Sequence, residues 1–198
     1  MPARKAVLTR RVRLLVAATI TYNVVEAVVA IWAGTVAGST ALIGFGLDSV
    51  IEVSSAAAVA WQFSGADPEA RERVALRVIA VSFFALAAYV TVESVLSLAG
   101  RGKAGESVAG IVLAAVSLVI MPLLSYAQRR AGRELGSASA VADSRQTLLC
   151  TYLSAAVLAG LLLNALWGWY WADPLAALVI AAVAGREGRE AWRGNRCC

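Results

Sequence analysis

The segment TALIGFGLDSVIEVSSAAAVAWQF, residues 40–63, decides the fold class of this chain. It carries two charged side chains, Asp48 and Glu52, among mostly apolar residues. As an α-helix it would measure about 36 Å, enough to cross ~30 Å of hydrocarbon. A helix is expected because a backbone in lipid must satisfy its polar groups internally. The segment therefore predicts a transmembrane helix with two carboxylates inside the membrane.

Similar apolar segments recur along the 198-residue chain, in which 60% of the residues are hydrophobic. Soluble domains are only about 45–50% apolar. We therefore expect an all-α membrane protein with a single six-helix transmembrane domain and no C-terminal cytoplasmic domain after it. The spans are predicted at roughly 12–33, 40–63, 74–99, 108–127, 141–168 and 173–190. Asp173-Pro174 divides the last two, because the residue before a proline disfavours helix.

The basic residues predict the orientation. The net charge is +5, but the charges lie in short clusters between apolar segments, so we expect no nucleic acid partner. Sixteen of the eighteen basic residues fall on one side of the predicted bundle, and only Arg101 and Lys103 fall on the other. Because cytoplasmic loops are enriched in Lys and Arg, both termini are expected in the cytoplasm.

Asp48 and Glu52 are the strongest candidates for a functional site. An acid inside a membrane costs about 2.5–3.5 kcal/mol and is functional by default. Four residues apart, these two share one helix face and would repel each other if both were ionised. They either share protons or hold a cation, and alternation between those states is the physical basis of proton–cation exchange. A carboxylate pair hydrogen-bonded to neighbouring helices, with a purely structural role, is the alternative.

Residues 38–42 (GSTAL) and 47–52 (LDSVIE) resemble the second span of the cation diffusion facilitator family, and further motifs resemble its other spans in chain order. Further similarities are Asn23 and Glu26 in the first span, residues 142–150 (ADSRQTLLC) at the start of the fifth, and residues 173–180 (DPLAALVI) at the start of the sixth.

The resemblance implies a proton-coupled exporter of zinc or a related divalent ion, which is bound as substrate and not as a cofactor. In that family two residues from span 2 and two from span 5 hold the metal. The matching positions are Asp48, Glu52, Gln146 and Cys150. The last two stand where the family usually has His or Asp, and then Asp. The resemblance also implies a homodimer through transmembrane helices, surrounded by lipid in a bacterial cytoplasmic membrane.

Two interpretations are open for Gln146 and Cys150 on span 5. A Cys150 thiolate is an excellent zinc ligand, and an amide oxygen of Gln146 is a weaker one. Alternatively, Cys150 is a small packing residue and Gln146 makes an interhelical hydrogen bond. If helix 5 starts near residue 138, Cys150 lies about 18 Å along the helix from its start, which is close to the depth of Asp48. If helix 5 starts at Asp143, Cys150 is too shallow to reach that depth. We therefore predict that helix 5 begins before Asp143.

Four other polar residues are accessory candidates. Asn23 and Glu26 are expected to form a second polar face toward the metal site. Glu93, alone on span 3, is a candidate ligand or proton relay. Asp143 is either an entrance residue or a partner of Arg145.

The leading hypothesis is a metal–proton antiporter. A proton-coupled exporter of organic cations would also need a membrane carboxylate, but the aromatic residues here cluster at the predicted interfaces and do not line the site. A non-transporting relative that senses metal or scaffolds a partner stays open because of Gln146 and Cys150. We do not expect an enzyme, since the sequence has no histidine and no nucleophile–base arrangement.

Overall fold

The computed structural model describes residues 2–63, 68–101, 104–135 and 138–193. These residues form six α-helices: α1 (Pro2–Ala37), α2 (Thr40–Phe63), α3 (Pro68–Leu96), α4 (Val108–Leu135), α5 (Ala138–Trp167) and α6 (Ala172–Trp192). A π-helical turn at Ser97–Arg101 follows α3, and Gly100 takes a φ of +94° within it. Such left-handed glycines commonly end helices, because they have no Cβ to clash with the backbone.

The bundle has the surface of a membrane protein. Four helices contain segments with the length and hydropathy needed to cross a bilayer: Ala17–Ala37, Arg77–Gly100, Val108–Ala131 and Thr147–Trp167. Val28, Val119 and Tyr152 are among the large apolar side chains exposed on the outside of the bundle. An apolar surface this extensive is unfavourable in water but not in lipid. The predicted all-α membrane bundle is thus confirmed, whereas the cytoplasmic position of both termini stays a prediction.

Helix α2, which carries Asp48 and Glu52, packs against four other helices: α1, α3, α5 and α6. Its buried side chains Leu42 and Phe45 join the apolar core, together with Val90 of α3, Leu161 of α5 and Ile180 of α6. The carboxylates predicted for this helix are therefore surrounded by protein on several sides.

Close packing at Gly46 sets α1 against α2. A Cβ atom at position 46 would lie 2.8 Å from Cγ1 of Ile31 and 3.0 Å from the backbone nitrogen of Ile31. Only glycine therefore permits this separation of the two helices. The approach matters for the site, because it allows α1 side chains to contact those of α2.

The turn between α1 and α2 is short and well defined. Gly38 takes a φ of +64° after the end of α1, and the Ser39 amide donates to the Gly34 carbonyl at 2.9 Å. The Ser39 hydroxyl then accepts a hydrogen bond from the Leu42 amide at 3.1 Å, which caps the N-terminus of α2. This turn fixes where α2 begins.

Candidate functional site

Asp48 and Glu52 lie in the buried part of α2. They are 7% and 9% exposed, one helical turn apart. Carboxylates in such an environment need a hydrogen-bond donor, a proton or a cation. The neighbours contributed by α5 and α1 therefore determine what the pair can do.

Cys150 brings α5 to this pair. Its Sγ atom lies 4.0 Å from Oδ2 of Asp48, and Glu52 is a further neighbour of the thiol. Cys150 is 1% exposed. Helix α5 begins at Ala138, so the prediction that it starts before Asp143 is confirmed. The structure therefore brings Cys150 of α5 beside Asp48 and Glu52 of α2, three of the four residues predicted as metal ligands.

Gln146 and Asp143 lie on α5 below Cys150. Their side chains fall outside the described part of the structure. The role of Gln146 as the fourth ligand and that of Asp143 as an entrance residue stay predictions.

Asn23 connects α1 directly to the pair. Its Nδ2 atom donates to Oε2 of Glu52 at 2.8 Å, and its side chain is 3% exposed. The Oδ1 atom of the same amide is buried and has no hydrogen-bond partner among the described residues. The structure thus places Asn23 against Glu52, on the side of α1 where a polar face toward the site was expected.

Glu26 is the centre of a second polar cluster, one turn further along α1. It is fully buried and accepts hydrogen bonds from the Ser49 hydroxyl of α2, at 2.8 Å, and from the Ser117 hydroxyl of α4. The Tyr22 and Ser117 hydroxyl oxygens are 2.7 Å apart. Because Ser49 directly follows Asp48, this hydrogen-bonded chain runs from α4 to the neighbourhood of the carboxylate pair.

An open groove of about 440 Å³ adjoins this chain between α1 and α4. Glu26 and Tyr22 contribute to its walls, and the remaining lining is mostly valine, including Val25, Val112 and Val116. Among these lining residues, Glu26 supplies the carboxylate.

Glu93 lies elsewhere. It is exposed on α3, whereas Asp48, Glu52 and Glu26 are buried. Its predicted role as a ligand or relay is not supported by this position and stays a prediction.

The described side chains do not form a closed metal cage. Within the described ranges, no three of the Asp, Glu and Cys side chains lie close enough together to hold one ion. Sγ of Cys150 and Oδ2 of Asp48 are 4.0 Å apart, the distance of a long S–H···O contact and not of two ligands closed around one ion. A cation bound here would require the carboxylates and the thiol to turn toward it.

The roles of two buried polar side chains, Gln128 and Asp173, were not identified from the sequence. Gln128 of α4 donates to the Thr19 hydroxyl of α1 and accepts from the Thr147 hydroxyl of α5, both at 3.1 Å. The sequence shows Gln128 as an amide at the end of an apolar span, which marks it as a polar contact, but the sequence does not reveal its partners. These three residues join α1, α4 and α5 below the carboxylate pair.

Asp173 is the second. It is 1% exposed in the first turn of α6 and accepts hydrogen bonds from the Ser39 hydroxyl and, at 3.3 Å, from the Ala41 amide. A carboxylate at a helix N-terminus is stabilised by the helix dipole. Asp173, interpreted from the sequence as a helix boundary and as the first residue of the span 6 motif, thus ties α6 to the start of α2.

Comparison with known proteins shows the family of the chain. Residues 16–193 match the family model of the cation efflux transmembrane domain. The chain is also similar to the cation-efflux pump FieF of Shewanella oneidensis, with 37% identity over 78 residues. That similarity covers 39% of this chain and 26% of the relative, so it spans about a quarter of the relative's length. The family match covers nearly the whole bundle, and the chain belongs to the cation diffusion facilitator family of cation efflux proteins.

Proposed function

We propose that this protein exports a divalent transition metal ion, zinc or one of similar chemistry, in exchange for protons. The observation that carries the proposal is the contact between α2 and α5, where Cys150 lies beside Asp48 and Glu52 in the buried part of the bundle. This is the pair of helices that supplies the metal ligands in the family. The relative from Shewanella oneidensis bears the name of a cation-efflux pump, which supports the same class of function.

Charge accounting favours a divalent cation. Asp48 and Glu52 supply two negative charges, which match one divalent ion in a region where an uncompensated charge costs several kcal/mol. Cys150 adds a soft ligand, and soft thiolates select zinc over magnesium or calcium. Gln146, one turn below Cys150, would complete four ligands.

The same pair accounts for proton exchange. Without a metal ion, two neighbouring buried carboxylates repel each other, and protonation relieves the repulsion. Metal binding displaces protons, and release of the metal on the other side of the membrane allows them to return. The chain from Tyr22 through Ser117 and Glu26 to Ser49 provides an accessory route for protons near the site.

Transport would proceed by alternating access of the α2–α5 site to the two sides of a bacterial cytoplasmic membrane. A homodimer formed through transmembrane helices, with lipid around it, is the assembly we propose.

Proteoliposomes test the proposal. We expect saturable uptake of zinc into vesicles whose lumen is acidic and faces the external side of the protein. Uptake should fall when an uncoupler removes the pH gradient. Parallel assays with cadmium, cobalt, iron and manganese rank the substrates. Glu106→Gln, which removes an exposed carboxylate outside the bundle core, is the control and should transport as the wild type does. Absence of saturable uptake for all five metals would contradict the proposal.

A further inference from the structure

The side-chain amide of Asn23 has one atom that is hydrogen-bonded and one buried atom without a hydrogen-bond partner. Its Nδ2 atom is bonded to Glu52, but its buried Oδ1 atom has no partner among the described residues. The buried amide of Gln128 is used differently, because both its nitrogen and its oxygen have hydrogen-bond partners. A buried amide oxygen without a partner has lost its hydration without compensation, so it needs an explanation.

The orphaned oxygen belongs to the amide that touches the carboxylate pair. Oδ1 is bonded to the same carbon as Nδ2, and Nδ2 is 2.8 Å from Glu52. The Asn23 side chain is only 3% exposed, so the amide is enclosed beside Glu52. A cation bound by Glu52 would therefore lie near Oδ1.

We propose that Oδ1 of Asn23 is a ligand of the transported cation, contributed by α1. The inference rests on the proposed function and adds a third helix to a site otherwise built from α2 and α5. An amide carbonyl is a neutral, hard oxygen ligand, and a divalent cation supplies the partner that this oxygen lacks. The Nδ2 atom meanwhile holds Glu52 in place when no cation is bound.

This assignment predicts how the site ranks metals. Cys150 favours soft ions such as zinc and cadmium, whereas an oxygen from Asn23 contributes relatively more to manganese and cobalt. Loss of Asn23 and loss of Cys150 should therefore shift the ranking of metals in opposite directions.

Binding measured by equilibrium dialysis on the purified full chain in detergent tests the inference. Asn23→Leu, similar in size but without either polar atom, should weaken manganese and cobalt binding about tenfold or more, and zinc binding less. Even a residue that only orients a ligand changes metal affinity by about 10–100-fold. Asn23→Asp distinguishes the two roles, because it keeps the oxygen and loses the donor to Glu52. We expect Asn23→Asp to bind manganese at least as tightly as the wild type.

Asn164→Leu is the matched control, since it removes a buried amide whose partner is a backbone carbonyl. It should bind metals as the wild type does. The inference is overturned if Asn23→Leu binds manganese normally, or if Asn23→Asp loses as much affinity as Asn23→Leu. In either case zinc binding by the wild type would leave the proposed function intact. A wild-type protein that binds no divalent ion would overturn the proposed function itself.

Discussion

Cys150 of α5 lies against Asp48 of α2, with 4.0 Å between Sγ and Oδ2, although 102 positions separate them in the sequence. The contact depends on where α5 begins. Since α5 starts at Ala138, it has risen more than three turns before Cys150 and reaches the depth of the α2 carboxylates. In the site that we propose, these two helices would contribute different kinds of ligand.

Cys150→Ser should change which metals the protein prefers. The substitution replaces a soft sulfur with a hard oxygen and alters the volume little, so zinc and cadmium should lose more affinity than manganese and cobalt. Cys150→Asp restores the residue more usual in the family and should keep transport. Initial uptake rates against metal concentration provide the comparison. An unchanged ranking in Cys150→Ser would mean that the cysteine only fills space.

Ser39→Ala should destabilise the protein by about 0.5–2 kcal/mol, the usual cost of losing an N-terminal cap. It removes both the cap on α2 and the donor to Asp173 of α6. Thermal unfolding in detergent measures the change. Ser54→Ala is the control, because the exposed Ser54 hydroxyl bonds only within α2, to the Val50 carbonyl. Equal stability of the two variants would show that the α2–α6 connection contributes nothing.

Gly46→Ala should destabilise the bundle by about 1–3 kcal/mol, as overpacking usually does. The added methyl group would meet Ile31, including its backbone nitrogen at 3.0 Å, so α1 must shift away from α2. The shift should also weaken metal binding, because it moves Asn23 relative to Glu52. Gly185→Ala is the matched control, since its Cβ would lie 4.0 Å from Ala87. Two variants of equal stability would refute the close α1–α2 contact.

The orientation of the chain can be tested at position 103, which lies outside the described residues. In a background whose three native cysteines are replaced, Lys103→Cys should react with a membrane-impermeant thiol reagent added from outside intact cells. This result is expected because sixteen of the eighteen basic residues would then face the cytoplasm. Labelling only after the cytoplasmic face is opened would reverse the predicted topology.

The helices were largely predictable from the sequence, because apolar length is the dominant signal for a helix in lipid. The span predicted at 141–168 corresponds to Ala138–Trp167, and the one at 173–190 to Ala172–Trp192. Span 1 was predicted too short, at 12–33 against Pro2–Ala37. Hydropathy reports the part of a helix that lies in lipid, whereas the basic segment before it is also helical but is not apolar.

The site was only partly predictable. The spacing of Asp48 and Glu52 marked a shared helix face, and the length of α5 accounted for the depth of Cys150. The bond from Asn23 to Glu52 depends on the separation of α1 and α2 at Gly46, which no spacing within one helix reveals. For the same reason, the contact of Glu26 with Ser117 requires knowing that α1 packs against α4.

Metal uptake into proteoliposomes by Asp48→Asn and Glu52→Gln tests directly whether Asp48 and Glu52 bind the exported ion. Each substitution preserves side-chain size and removes one of the two charges that compensate a divalent cation. Leaving that cation partly uncompensated in the membrane costs several kcal/mol. We predict that both variants, reconstituted in amounts equal to the wild type, take up none of the five metals above background. Normal uptake of any of these metals by Asp48→Asn would show that the ion binds elsewhere in the bundle.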